Sequence, residues 1–143
     1  SAEGGIAPMA SNVINRLTKT CPYGKASDYT YKLGSKSNKS LNLQKKIESV
    51  SFSVFSTIIC KALGISGLAG TAVHVFYDTM KKKDPHSKYM SYKVTNYAHK
   101  NYKNTYIKPV KLYGFKSNYT WYTKASYKGT AVKETLYQTK QMN

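Results

Sequence analysis

Negative charge is the scarcest feature of this 143-residue chain: six Asp and Glu stand against 23 Lys and Arg, a formal net charge of +17. Six carboxylates and three histidines leave little material for acid–base chemistry. His74 and Asp78, four residues apart, could meet on one helical face, but no serine, cysteine or metal-ligand pattern joins them, and a structural histidine is the simpler reading. His86 and His99 lie among lysines and read as surface residues. There is no P-loop, no dinucleotide fingerprint and no HExxH. The chain is therefore expected to bind rather than to catalyse, with no cofactor and no metal. Arginine is nearly missing as well, since Arg16 is the only one. Planar bidentate recognition of phosphates or guanine edges favours arginine, so this composition argues for diffuse attraction by lysine point charges.

Cysteine is limited to Cys21 and Cys60, too few for a disulfide framework and wrongly spaced for a CxxC or zinc site. The expectation is one disulfide, which would close a loop of about 40 residues and contribute roughly 3 to 4 kcal/mol. The alternative is two free thiols, with Cys60 a buried small hydrophobe. Long apolar runs are also lacking. The stretches 50–60 and 65–77 fall short of the roughly 20 residues that span a bilayer. Read as one run over 47–77 they would be long enough, but Lys61 near the centre would cost about 2.5 to 3.5 kcal/mol. Membrane entry would require an apolar hairpin to leave the rest of the fold.

What is present divides the chain into three textures within a single domain, 1–143. Residues 1–40 are polar; SNVINRLTK there could form a short helix after Ser11, ASDYTYKL a strand, and GSKSNKS a loop. Residues 41–85 form the apolar part. Ile47, Val50, Val54 and Ile58 fall on one helical side and Phe52, Phe55, Ile59 and Leu63 on a neighbouring one, which predicts a helix over 41–63 with Ser40 as N-cap. Gly64, Gly67 and Gly70 predict a turn, and a second arm ends at Lys81, Lys82 and Lys83, suited to the negative end of a helix dipole, before Asp84 and Pro85. A helical hairpin follows.

Residues 86–143 hold ten of the 14 tyrosines and the only tryptophan, Trp121. Four segments, 87–98, 105–115, 118–128 and 130–140, read as strands of an antiparallel meander, with Pro109 at an edge or bulge. In 118–128, Tyr119, Trp121, Thr123, Ala125 and Tyr127 face one way and Asn118, Thr120, Tyr122, Lys124 and Ser126 the other. On the earlier strand Met90, Tyr92, Val94 and Ala98 oppose Tyr89, Lys93, Tyr97 and His99. The expected fold is thus α+β, a helical hairpin packed on a C-terminal four-stranded antiparallel meander.

Charge is concentrated in the same half: residues 81–143 carry 14 lysines against Asp84 and Glu134, a net of +12. The candidate binding residues are Lys81, Lys82, Lys83, Lys88, Lys93, Tyr97, Lys100, Lys103, Tyr122 and Lys124. Lysines would supply attraction and exposed tyrosines the short-range contacts. A glycine-containing apolar helical part followed by a Tyr/Lys-rich β part resembles small secreted proteins of Gram-positive bacteria, some of them bacteriocin-like. The small residues of the opening SAEGGIAP fit a signal-peptidase cut, so a secreted protein is expected. The function expected is binding to an anionic envelope surface, lipid or wall polymer, in the manner of an antimicrobial or toxin. A nucleic-acid module stacking bases on its tyrosines, or an inhibitor or effector with an acidic protein partner, are the alternatives.

Overall fold

The computed structural model describes residues 15–33, 38–101 and 112–141. Its framework is the long hairpin of β6 (Leu112–Lys124) and β7 (Lys128–Gln141), which a 3-10 turn at Ala125–Tyr127 connects. Beside β6 runs β5 (Tyr89–Ala98), antiparallel and in register from Ser91↔Tyr122 to Ala98↔Phe115. Strict alternation makes these strands two-faced. Met90, Tyr92, Val94, Tyr119 and Trp121 are buried on one face, while Lys93, Asn118 and Lys124 are exposed on the other.

Four short strands complete a seven-stranded sheet: β1 (Arg16–Thr18), β2 (Tyr31–Lys32), β3 (Lys39–Asn42) and β4 (Gly67–Ala69). The order is β2-β5-β6-β7-β1-β4, and β3 shares the outer edge of β5 with β2. Every pairing is antiparallel except β1 with β4.

This corrects the four-stranded meander and the helical hairpin packed on it. The protein is α+β, but four of its seven strands come from residues before 70, where segments of two to four residues are too short to show a period of their own. β2 and β3 form on the outer edge of β5 and β1 on that of β7, and β4 in turn pairs with β1. Only two helices, α1 (Phe52–Leu63) and α2 (Val73–Lys83), are present among the described residues, and β4 lies between them where the hairpin turn was expected. The helix expected from residue 41 begins at residue 52. Leu41 pairs with Met90 in the sheet, and the backbone amides of Leu43 and Ile47 donate to Lys88 O and Ser87 O at 2.8 and 2.9 Å. Ser51 is the N-cap, its hydroxyl accepting from the Val54 amide, and Ser40 instead accepts from the Ser126 amide at 3.1 Å.

Other expectations shift in the same way. Arg16–Thr18 is strand, not helix, and of 26–33 only Tyr31–Lys32 is strand, after a 3-10 turn at Ala26–Asp28. The break expected at 116–118 is the middle of β6, so two expected strands are one. Pro109, Lys103, residues 1–14 and the loop residues 34–37 lie outside the described residues. Gly64 does end α1, in the left-handed conformation at φ 68°, and Asp84 caps α2 directly after its three lysines. No helix among the described residues is long and apolar enough to cross a membrane.

The helices cover one face of the sheet. Phe55 and Ile59 of α1 and Val73, Phe76 and Met80 of α2 are completely buried against it. Tyr77 of α2 is buried too, and its hydroxyl donates to Val50 O. Trp121 is the centre of this layer, stacked on Tyr119 at 4.9 Å between ring centres and on Phe76 at 5.6 Å. Both apolar sides read from the sequence contribute to the core: Phe55 and Ile59 of the second are buried within α1, Ile47 and Val50 of the first are buried ahead of it, and Val54 of the first is 52% exposed.

The opposite face is covered at both ends. At one, the turn Ala125–Tyr127 closes over Ser91, which is completely buried and whose hydroxyl accepts from the Tyr127 amide at 2.8 Å, and the other end is left to the segment after β1. Residues 22–29 cross it, placing Tyr29 edge-on to His99 and Tyr137, and Tyr29 is 1% exposed. His99 is therefore buried between Tyr23 and Tyr29, not on the surface as expected. The crossing depends on Gly114. A Cβ there would stand 2.7 Å from the Tyr29 hydroxyl oxygen and 3.0 Å from Pro22 Cγ. Gly114→Ala is expected to lift the segment and destabilise the protein by about 1 to 3 kcal/mol. Amide hydrogen exchange should report faster exchange at 22–30; unchanged exchange and stability would contradict the close approach.

Candidate cationic face

Between the turn at Ala125–Tyr127 and residues 22–29, the outer face of β5, β6 and β7 is open, with Ser91 buried at one rim and Tyr137 at the other. Register sets its side chains in rows across the three strands: Ser91–Tyr122–Ala131, Lys93–Thr120–Lys133, Thr95–Asn118–Thr135 and Tyr97–Lys116–Tyr137. Lys93 and Lys133 flank Thr120, two strand spacings or about 10 Å apart, and Lys116 lies two rows away, about 13 Å along the strand. Between them is a field of hydroxyl and amide groups, in which the Thr135 hydroxyl donates to Asn118 Oδ1 at 2.8 Å. The Asn118 amide nitrogen keeps its two donors.

Aromatic rings support these lysines. Lys93 Nζ lies 4.9 Å from the centre of the Tyr127 ring and 5.8 Å from that of Tyr122, and the two rings meet edge to face at 6.0 Å. Lys116 Nζ stands 5.4 Å over Tyr97 and donates to Ala26 O at 3.3 Å. Such contacts orient an ammonium without cancelling its charge.

No carboxylate among the described residues shares those rows, because each is engaged elsewhere. Asp28 lies by Lys100 at 3.4 Å and His99 at 3.7 Å, and Asp84 by Lys124 at 3.6 Å with the Thr123 hydroxyl donating to it. Asp78 meets His74 and Glu48 meets His86, both at 3.2 Å and both exposed. Asp28 is held below the usual carboxylate range, chiefly by the Lys25 backbone N–H. Glu134, on the helix-covered face, is 7% exposed and accepts the Trp121 indole N–H at 3.1 Å. Burial pushes its pKa up to about 6, against the pull of that indole N–H, of Lys19 and of the Ala72 amide.

The residues singled out in the sequence separate into groups. Lys93 and Tyr122 meet on the open face, and Tyr97 borders it. Lys88 and Lys124 line a cleft of about 610 Å³ at the turn after α2, together with Lys83, His86 and the exposed Tyr89. Lys81 and Lys82 project from α2 in the helix layer, Lys81 over Tyr77 at 5.5 Å. Lys100 pairs with Asp28, and Lys103 lies outside the described residues. Cys21 and Cys60 are free thiols: Cys21 Sγ is 3.3 Å from Tyr23 O in the turn after β1, while Cys60 sits on α1 beside Ser56, its thiol pKa raised by burial. Sequence reasoning missed Lys116 and Lys133. Period-two alternation places each on a face, but only the pairing register puts both beside Lys93.

No protein-family model, no curated protein and no solved structure matches this chain significantly.

Proposed function

We propose that this is a cationic binding protein for an anionic envelope polymer, acting outside the cell, with the open face of β5, β6 and β7 as its contact surface. One observation carries the reading: Lys93, Lys116 and Lys133 stand on a face that holds hydroxyl and amide groups and, among the described residues, no acid. Lysines whose backbone positions lie about 10 to 13 Å apart suit a chain with repeated negative charges better than a single ion. The polar groups between them supply hydrogen bonds to the sugar or polyol units that separate those charges.

A polymer is favoured over a lipid surface because the face presents no apolar wedge among the described residues. Their exposed large hydrophobic side chains are Tyr31, Val54, Val75 and Tyr89, of which the two valines belong to the helices on the other side. A nucleic-acid reading has one point in its favour, the tyrosines at the rim. Tyr122 and Tyr127 are turned edge to face and carry Lys93 above them, so they do not form a row of open rings on which bases could stack.

The test is a titration at low salt with poly(glycerol phosphate), neutral dextran, anionic phosphatidylglycerol vesicles and an oligothymidylate. Binding of the phosphate polymer that weakens steeply with salt, with none of dextran, is expected. Equal binding of dextran, or no binding of the polymer, would overturn the reading. Vesicles or oligothymidylate binding more tightly than the polymer would move the function to that class.

A further inference from the structure

On the helix-covered side, α1 ends before the sheet does, leaving a cavity of about 270 Å³ over the end of β5, β6 and β7. We propose that it is a binding site for one sugar ring bearing a carboxylate, separate from the open face. The floor is polar where a core would be apolar. Ser117 and Gln138 are only 6% and 9% exposed and both line the cavity. Ser117 Oγ donates to Asn96 Oδ1 at 2.6 Å, and Gln138 Nε2 donates to Asn15 Oδ1 at 2.9 Å. These bonds fix the two amides and leave the Asn96 nitrogen, the Gln138 carbonyl oxygen and a second Gln138 N–H for a ligand.

Size and chemistry narrow the occupant. The cavity lies just under the roughly 300 Å³ at which pockets for drug-sized ligands begin, so it fits a single ring. A flat apolar ring would bury the amides without partners, at a cost that disfavours it. A sugar ring carries hydroxyl groups around its edge for Asn96 and Gln138 and an apolar C–H face for the Phe115 side of the cavity. The acid is indicated by Lys140, which stands at the mouth with its Nζ 5.9 Å over the Phe115 ring and no carboxylate against it among the described residues. Both the aromatic wall and the ammonium belong to this chain's β6 and β7.

The probes are glucuronate, glucose and acetate, titrated against the whole protein by calorimetry and by amide chemical shifts. Glucuronate is expected to saturate the cavity residues, glucose to bind about tenfold more weakly, a charge-assisted bond being worth about 1.4 kcal/mol or more, and acetate not at all. Lys140→Gln, at an exposed position, should bring glucuronate down to the glucose value. Ala62→Phe, which fills the cavity from α1, should abolish both. A Lys93, Lys116, Lys133→Gln variant should bind glucuronate unchanged, so this site can fail while the polymer-binding face stands, and the reverse. Tighter binding of a disaccharide ending in glucuronate would assign the site to a glycan end, and weaker binding to the free sugar acid. Acetate binding as well as glucuronate, an unaltered glucuronate preference in Lys140→Gln, or sugar binding that survives Ala62→Phe would overturn the proposal.

Discussion

Replacing Lys93, Lys116 and Lys133 together by glutamine is expected to weaken binding to an anionic polymer by about 100-fold at low ionic strength, each lysine near an anionic surface being worth about 1 kcal/mol. The dependence of log affinity on log salt should flatten by roughly two to three, since each lost contact leaves its counterion in place. Lysine count alone does not predict this. Lys81, Lys82 and Lys83 contribute the same three charges from the end of α2, on the helix side of the sheet. At the same ionic strength their replacement by glutamine is expected to cost roughly tenfold less, because these lysines lie off the contact face and act only through the long-range term. Equal losses in the two triple variants would mean that the protein binds by net charge alone and that the open face has no special role. Lys93 and Lys133 are exposed, and Lys116 spends one hydrogen bond on Ala26 O, so thermal unfolding of the variant should stay within a few degrees of the parent.

The parts of this arrangement that were legible in the sequence are those whose signal is local. Alternation over 118–128 needs no partner to be read, and Trp121 and Tyr119 lie inside as that pattern requires, but it stops at the turn Ala125–Tyr127, which puts Tyr127 against Tyr122 and Lys93 instead of beside Trp121. The strong end of α2 is equally local, since three lysines and Asp-Pro fix it from within six residues. The short strands are different in kind. β1 owes its existence to Arg16↔Gly67 and Thr18↔Tyr137, pairings across about 50 and 120 residues that no window on residues 16–18 contains. Residues 116–118 read as a turn because Lys-Ser-Asn is turn chemistry, yet Tyr97 on one side and Tyr137 on the other hold Lys116 in a central strand. The same long-range logic hid half of the cationic face and buried His99 under residues 22–29, where sequence neighbours alone implied solvent.

Trp121 and Glu134 couple the core to pH, and altering them should give the largest change in stability. Glu134 is buried beneath the start of α2, where, among the described residues, the indole N–H of Trp121 is its one close side-chain donor and its Oε2 has no hydrogen-bond partner. Its folded pKa of about 6 lies above the ordinary 4.5, so the fold prefers the neutral acid. The stability this provides is fully present below about pH 4.5 and is lost as pH rises through about 6, a difference of about 2 kcal/mol. Denaturant unfolding at pH 4 to 7.5 should therefore show Glu134→Gln gaining on the parent across that window, with every contribution common to both cancelling in the difference. Trp121→Phe keeps most of the stacking on Tyr119 and Phe76 but removes the donor, so the Glu134 pKa should rise further and the pH-dependent loss should grow. Trp121→Ala adds a cavity among Phe76, Tyr92 and Tyr119 and is expected to cost about 3 to 5 kcal/mol at any pH. A parent and a Glu134→Gln variant with parallel stability profiles from pH 4 to 7.5 would show that the carboxylate does not titrate inside the fold. In that case the indole N–H and the Ala72 amide together already balance its burial.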